Sequence, residues 1–65
     1  MKLMINGKPE ETTAGTVAEL VESYGLEEAL VVAEVNGKIV YREQWNGIRI
    51  QSGMKIEIVH FVGGG

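Results

Sequence analysis

The chain has 65 residues and a formal net charge of −3, with nine glutamates and no aspartate against six lysines and arginines, and it contains no cysteine. That length makes one small domain with a modest core and no room for a substrate-sized internal pocket, which favours a binding module or carrier over a self-sufficient enzyme. The acidity argues against a nucleic-acid partner, and the missing thiols exclude disulfides, cysteine-ligated metal centres and a cysteine nucleophile.

In chain order, KLMING comes first and alternates, with Leu3 and Ile5 on one face and Lys2, Met4 and Asn6 on the other, the pattern of a strand. Asn6-Gly7 signals a two-residue type I′ hairpin turn, which requires positive φ at both central positions. KPEETT then returns. Pro9 has no N–H for a ladder, so this second strand is expected to be short and at a sheet edge. GTVAELVESYG predicts a helix with both ends marked. Thr16 and Glu19 have the spacing of a capping box. Val17, Leu20, Val21 and Tyr24 make one apolar stripe, and Gly25 suits the left-handed exit.

LVVAEVNGKIV predicts a second hairpin. Val31 to Val35 is mostly apolar and β-branched, as in a central strand. Asn36-Gly37 repeats the turn signal, and Lys38 to Tyr41 returns. REQWNG breaks the alternation and holds Trp45, which reads as a core plug rather than a ligand platform. IRI reads as a short turn or strand, and Ser52-Gly53 as another turn. MKIEIVHFV predicts the last strand, with Ile56, Ile58 and His60 alternating against Lys55, Glu57, Val59 and Phe61. The resulting order is β-β-α-β-β-β, and one helix on one face of a mixed sheet is the economical packing. The last strand has no partner adjacent in sequence, and lying beside the first strand in the middle of the sheet buries most of its backbone. The expected fold is α+β: the β-grasp, or ubiquitin-like, architecture, a mixed four- to five-stranded sheet with one helix packed on one face. Residues 1–62 make the domain, and residues 63–65 a flexible glycine tail.

That tail, Gly63-Gly64-Gly65, offers no packing surface. It is a thin tether able to enter a narrow channel, and no Cβ shields the terminal carbonyl carbon. A carboxylate is a poor electrophile. To react it needs activation, typically as an acyl-adenylate made by an ATP-using partner. Attack by a persulfide then leads to a thiocarboxylate, and attack by a lysine amine to an isopeptide. The plainer alternative is an inert end, since termini are commonly disordered.

Val59 and Phe61 are expected on the face away from the helix, with Met4 joining them and Val62 next to the tail. Exposed apolar residues beside a reactive tail are partner-docking candidates; ordinary sheet packing is the alternative. His60 is the only histidine and has no constellation around it, so a structural or interface role is expected, not general-base or metal chemistry. Glu10-Glu11 and Glu27-Glu28 read as solvated charges, and the glycine motifs make no phosphate loop. The apolar run at the N-terminus is too short for a signal peptide. No apolar stretch nears the ~20 residues that span a bilayer. A soluble cytoplasmic monomer is the expectation.

IEIVHFVGGG at the end and VAEVNGKIVYREQW in the middle resemble the ThiS family, the sulfur carriers of the thiamine pathway, and the resemblance runs over essentially the whole chain. Its most specific pieces are Asn36-Gly37 followed by Arg42-Glu43-Gln44-Trp45, and the terminal Val62-Gly63-Gly64-Gly65. It departs at Tyr41, where a proline is common. The resemblance implies that Gly65 is adenylated by a ubiquitin-activating-like adenylyltransferase. Mg-ATP would be used by that enzyme, and no cofactor or metal would be bound by the chain. The carboxylate is then converted to a thiocarboxylate with sulfur from a persulfide donor. Thiazole synthase receives the sulfur, and Gly64 and Gly63 serve as slender support. Such a chain is a co-substrate, not an enzyme. Two other destinations use the same tail: a molybdopterin-synthase small-subunit-type sulfur carrier, usually longer and ending in two glycines, and a ubiquitin-like covalent protein modifier.

Overall fold

The structure, a computed structural model, describes residues 1–61; the expected tail at 63–65, with Val62, lies outside the described residues. Strands β1 (Lys2–Ile5) and β2 (Lys8–Glu11) form the first hairpin, and helix α1 (Val17–Ser23) follows. A 3-10 turn at Glu28–Leu30 leads into β3 (Val31–Val35) and β4 (Lys38–Val40). A longer 3-10 segment, Arg42–Gly47, precedes the last strand, β5 (Lys55–His60). The strands form one sheet in the order β2-β1-β5-β3-β4. β5 runs parallel to β1 and antiparallel to β3, so the last strand occupies the centre, as the economy of backbone pairing predicts.

Both hairpins turn as their Asn-Gly pairs require, with φ of 52° and 81° at Asn6 and Gly7, and 51° and 86° at Asn36 and Gly37. Each asparagine also has a second role. Asn6 Oδ1 accepts the Ile58 N–H at 2.8 Å, and Asn36 Oδ1 accepts the Lys55 N–H at 2.9 Å. The side chains therefore continue the β5 ladder past the ends of β1 and β3. An unpaired backbone donor in a sheet centre costs about 1–3 kcal/mol, so each turn residue also holds the central strand.

The core lies between α1 and one face of the sheet. Val17, Leu20 and Val21 of the helix meet Leu3, Ile5, Val31, Ala33, Ile56 and Ile58, all buried. Burying one such aliphatic side chain contributes about 1.5–3 kcal/mol. Thr16 caps the helix by accepting the Glu19 N–H at 3.2 Å. The return bond differs from the expected box, because the Glu19 carboxylate accepts from Gly15 N–H at 2.7 Å, one residue further out. Thr16 instead forms an isolated bridge with Arg49, flanked by Val17 N–H to the Ile48 carbonyl and Ile50 N–H to the Gly15 carbonyl, both at 3.0 Å. The IRI segment is thus a short strand-like support for the start of the helix.

Tyr24 does not continue the apolar stripe. It is the C-cap, 45% exposed, because α1 ends after seven residues and Gly25, at φ +68°, turns the chain away. Leu26, half-buried, packs against the core in its place. Trp45 is the plug that the sequence suggests. It is 1% exposed, and its Nε1 donates to the Val40 carbonyl at 3.1 Å. Its 3-10 segment is capped reciprocally: Gln44 N–H donates to the Tyr41 carbonyl at 2.7 Å, and Tyr41 N–H donates to Gln44 Oε1 at 2.8 Å. A proline at position 41 would lack that second donor.

Candidate functional site

The fold leaves the sheet face opposite α1 uncovered. Alternation along β5 puts Lys55, Glu57 and Val59 on it, all exposed, while Ile56, Ile58 and the half-buried His60 face the helix. Phe61 continues the alternation one residue past the strand. Its N–H still donates to the Leu30 carbonyl, at 2.8 Å, so the backbone leaves the sheet in ladder register. Phe61 is 57% exposed and Val59 48%. A large apolar side chain left this open at the end of a central strand has no folding reason to be there.

The register places three further residues beside them. Val32 pairs with Val59, and Ile39 pairs with Glu34, the residue two positions along β3. Tyr41 follows β4 with extended backbone and so shares the side of Ile39. Ile39 and Tyr41 are 55% and 63% exposed. Val32, Val59, Phe61, Ile39 and Tyr41 make one apolar surface at the end of the sheet where β5 finishes. Sequence reasoning missed the contribution of β3 and β4, because which strands adjoin β5, and in what register, follows only from the assembled sheet. The alternation of VVAEV and KIVY was the available signal.

Met4 lies on the same face but not in this cluster. It pairs with Lys55, so Lys55 and Glu57 stand between it and Val59. Its half-buried side chain borders a shallow hollow of about 200 Å³ with Gly7, Lys55, Ile56 and Glu57. The remaining expected site residues, Val62, Gly63, Gly64 and Gly65, lie outside the described residues.

On the helix side a surface groove of about 380 Å³ opens between the helix exit and the first hairpin, lined by Ile5, Lys8, Glu10, Tyr24, Leu26 and His60 among others. It is open to solvent, not an internal pocket. His60 Nε2 is buried there with no hydrogen-bond partner among the described residues. Burial, with the Glu10 carboxylate nearby, pushes the Tyr24 phenol above its usual range. No group of three or more metal-ligating side chains occurs among the described residues, and no helix among them is long and apolar enough to cross a membrane.

The comparisons with known proteins agree with this geometry over the whole chain. The sulfur carrier protein ThiS of Bacillus subtilis is 40% identical over 97% of this chain and 98% of its own length. The thiazole synthase of Magnetococcus marinus is 38% identical over 100% of this chain, which spans only 20% of that protein. The crystal structure of the thiamine biosynthesis protein ThiS from Geobacter metallireducens superimposes with a TM-score of 0.79 at 33% identity, covering 100% of both chains. The family model for ThiS matches residues 3–65, tail included. A five-stranded β-grasp sheet, one helix and this extent of agreement lead to one assignment: the chain belongs to the ThiS family.

Proposed function

We propose that this chain carries sulfur for thiamine biosynthesis, as a thiocarboxylate on Gly65, and that it acts as a co-substrate, not a catalyst. The observation that carries the reading is the match with the Bacillus subtilis sulfur carrier over 98% of its length, with the family match reaching through Gly63-Gly64-Gly65. The steps follow from the chemistry of a carboxylate. An adenylyltransferase transfers AMP from Mg-ATP to the Gly65 carboxylate and releases pyrophosphate. A persulfide sulfur attacks the acyl carbon and AMP leaves. A thiol reductant then cleaves the sulfur–sulfur bond and frees the thiocarboxylate.

The domain contributes no group to these bonds. It supplies a rigid handle: β1 pairs with the first half of β5, Asn6 Oδ1 extends that support to Ile58, and β3 pairs along the strand as far as His60. The apolar surface around Val59 and Phe61, next to the root of the tail, is the docking face. Thiazole synthase is the acceptor in this reading, supported by synthases in which a segment like this whole chain forms part of the same polypeptide. The test is reconstitution of thiazole formation with thiazole synthase and its small-molecule substrates. A chain lacking Gly64 and Gly65 is expected to support none while keeping the far-ultraviolet spectrum of the full chain. Undiminished thiazole formation by the truncated chain would overturn the reading.

A further inference from the structure

The last strand outruns its neighbour on one side. Phe61 N–H donates to the Leu30 carbonyl, and Asn36 N–H to the Lys55 carbonyl. In an antiparallel ladder the residues between such bonded pairs turn their backbone groups the other way, so Ile56, Ile58 and His60 direct theirs to the β1 side. Asn6 N–H donates to the Ile56 carbonyl at 2.9 Å, and Asn6 Oδ1 accepts the Ile58 N–H at 2.8 Å. There the support ends, because the chain turns away at Asn6-Gly7 and the β1–β5 register stops at Ile5 and Ile56. The next groups along the same edge, the Ile58 carbonyl and the His60 N–H, have no hydrogen-bond partner among the described residues. Strand edges are normally covered, bulged or guarded by charge. This one is uncharged and runs straight into Phe61 and the root of the tail. Beside it, on the helix side, lies the groove of about 380 Å³ that Ile58, His60 and Leu26 help to line. His60 Nε2 is buried in that groove and also unpartnered among the described residues. Buried polar groups are nearly always paired, yet the backbone and the ring of the same residue both lack a partner here.

We propose that an extended segment of thiazole synthase adds to this edge of β5 as a further strand, donating to the Ile58 carbonyl and accepting the His60 N–H. This rests on the sulfur-carrier reading and deepens it by naming how the acceptor grips the carrier. The occupant is a strand because the edge offers a main-chain acceptor and donor at the two-residue repeat that strand addition uses. Its side chains alternate between the groove, where one meets His60 Nε2, and the open face beside Val59 and Phe61. The synthase is its source on two grounds. Synthases exist in which a segment like this chain is part of the same polypeptide. The edge also leads into the tail, so a strand laid along it lies beside the path that brings Gly65 to the sulfur acceptor.

The experiment follows amide exchange by quenched-exchange NMR in the full chain, free and bound to the cognate thiazole synthase. In the free chain the Phe61 amide is expected to exchange slowly and the His60 amide fast. In the complex the His60 amide should slow by at least about tenfold, as a newly formed main-chain bond requires. Two variants test the same bond. His60→Ala keeps the N–H and His60→Pro removes it, both lose the ring, and Val59 is already extended, as the residue before a proline must be. His60→Pro is expected to bind the synthase about tenfold more weakly than His60→Ala, with similar urea unfolding of the two free variants. A His60 amide that is slow in the free chain, or still fast in the complex, would overturn the added strand. Protection that appears only with the adenylating enzyme, or that rises with the concentration of the chain alone, gives the edge to another occupant and overturns the assignment to the synthase. A fast His60 amide in a complex that still makes thiazole sinks the added strand alone, whereas a chain that supports no thiazole formation sinks the carrier reading and the strand with it.

Discussion

At the scale of single residues, Asn6 and Asn36 combine two functions that sequence inspection separates. The left-handed turn needs any residue that tolerates positive φ, but the acceptor for β5 needs the amide oxygen. Glycine at position 6 keeps the turn and loses the acceptor, so Asn6→Gly is expected to cost about 1–3 kcal/mol in urea unfolding. Asn6→Asp retains an oxygen in that place and should lose less; equal stability of Asn6→Gly and the parent chain would refute the dual role. Tyr24 offers a test in pH. Its phenol titrates above its usual range in the folded chain, so the folded state holds that proton more tightly than the unfolded one. The associated stability is present below the ordinary phenol range, about pH 10, and is lost as pH rises through the folded value. Tyr24→Phe should therefore flatten the decline of stability at high pH, which unfolding midpoints of the two chains between neutral and alkaline pH would reveal.

At the scale of elements, the helix is short and depends on its ends and on the Trp45 segment behind it. Removing the Thr16 hydroxyl with Thr16→Ala is expected to cost about 1 kcal/mol, read from denaturant unfolding. Trp45→Ala empties the largest fully buried side-chain site and costs about 3–5 kcal/mol. A core of this size rarely supplies more than about 3–5 kcal/mol in total, so the variant should be largely unfolded at room temperature by circular dichroism. These elements were legible in advance because their signals are local: alternation for β1 and β5, Asn-Gly at both turns, Thr16 and Gly25 at the helix ends. What stayed hidden depends on neighbours distant in the chain. The Glu19 bond goes to Gly15, whose carbonyl also accepts the Ile50 N–H, so the start of the helix is tied to the distant Ile48–Ile50 segment. The exposure of Tyr24 follows from the short helix. The membership of Val32, Ile39 and Tyr41 in the open face follows from β3 lying between β5 and β4, and the β1–β5 register, which pairs Met4 with Lys55, separates Met4 from them.

At the scale of the whole molecule, the two faces of the sheet have different tasks. The helix face holds the core, and the open face carries apolar residues that keep about half of their surface in solvent. Val59→Ser combined with Phe61→Ser should therefore cost no more than about 1 kcal/mol in unfolding yet weaken partner binding by more than about 2 kcal/mol. The proposed function gives the chemistry to the Gly65 carboxylate and leaves the domain to present it. The most direct measurement is intact mass spectrometry of the chain after incubation with its adenylating enzyme, Mg-ATP and a persulfide donor. Replacement of one terminal oxygen by sulfur, absent in a chain lacking Gly65, is the predicted result. An unchanged mass, with the same enzyme active on another carrier, would contradict the account.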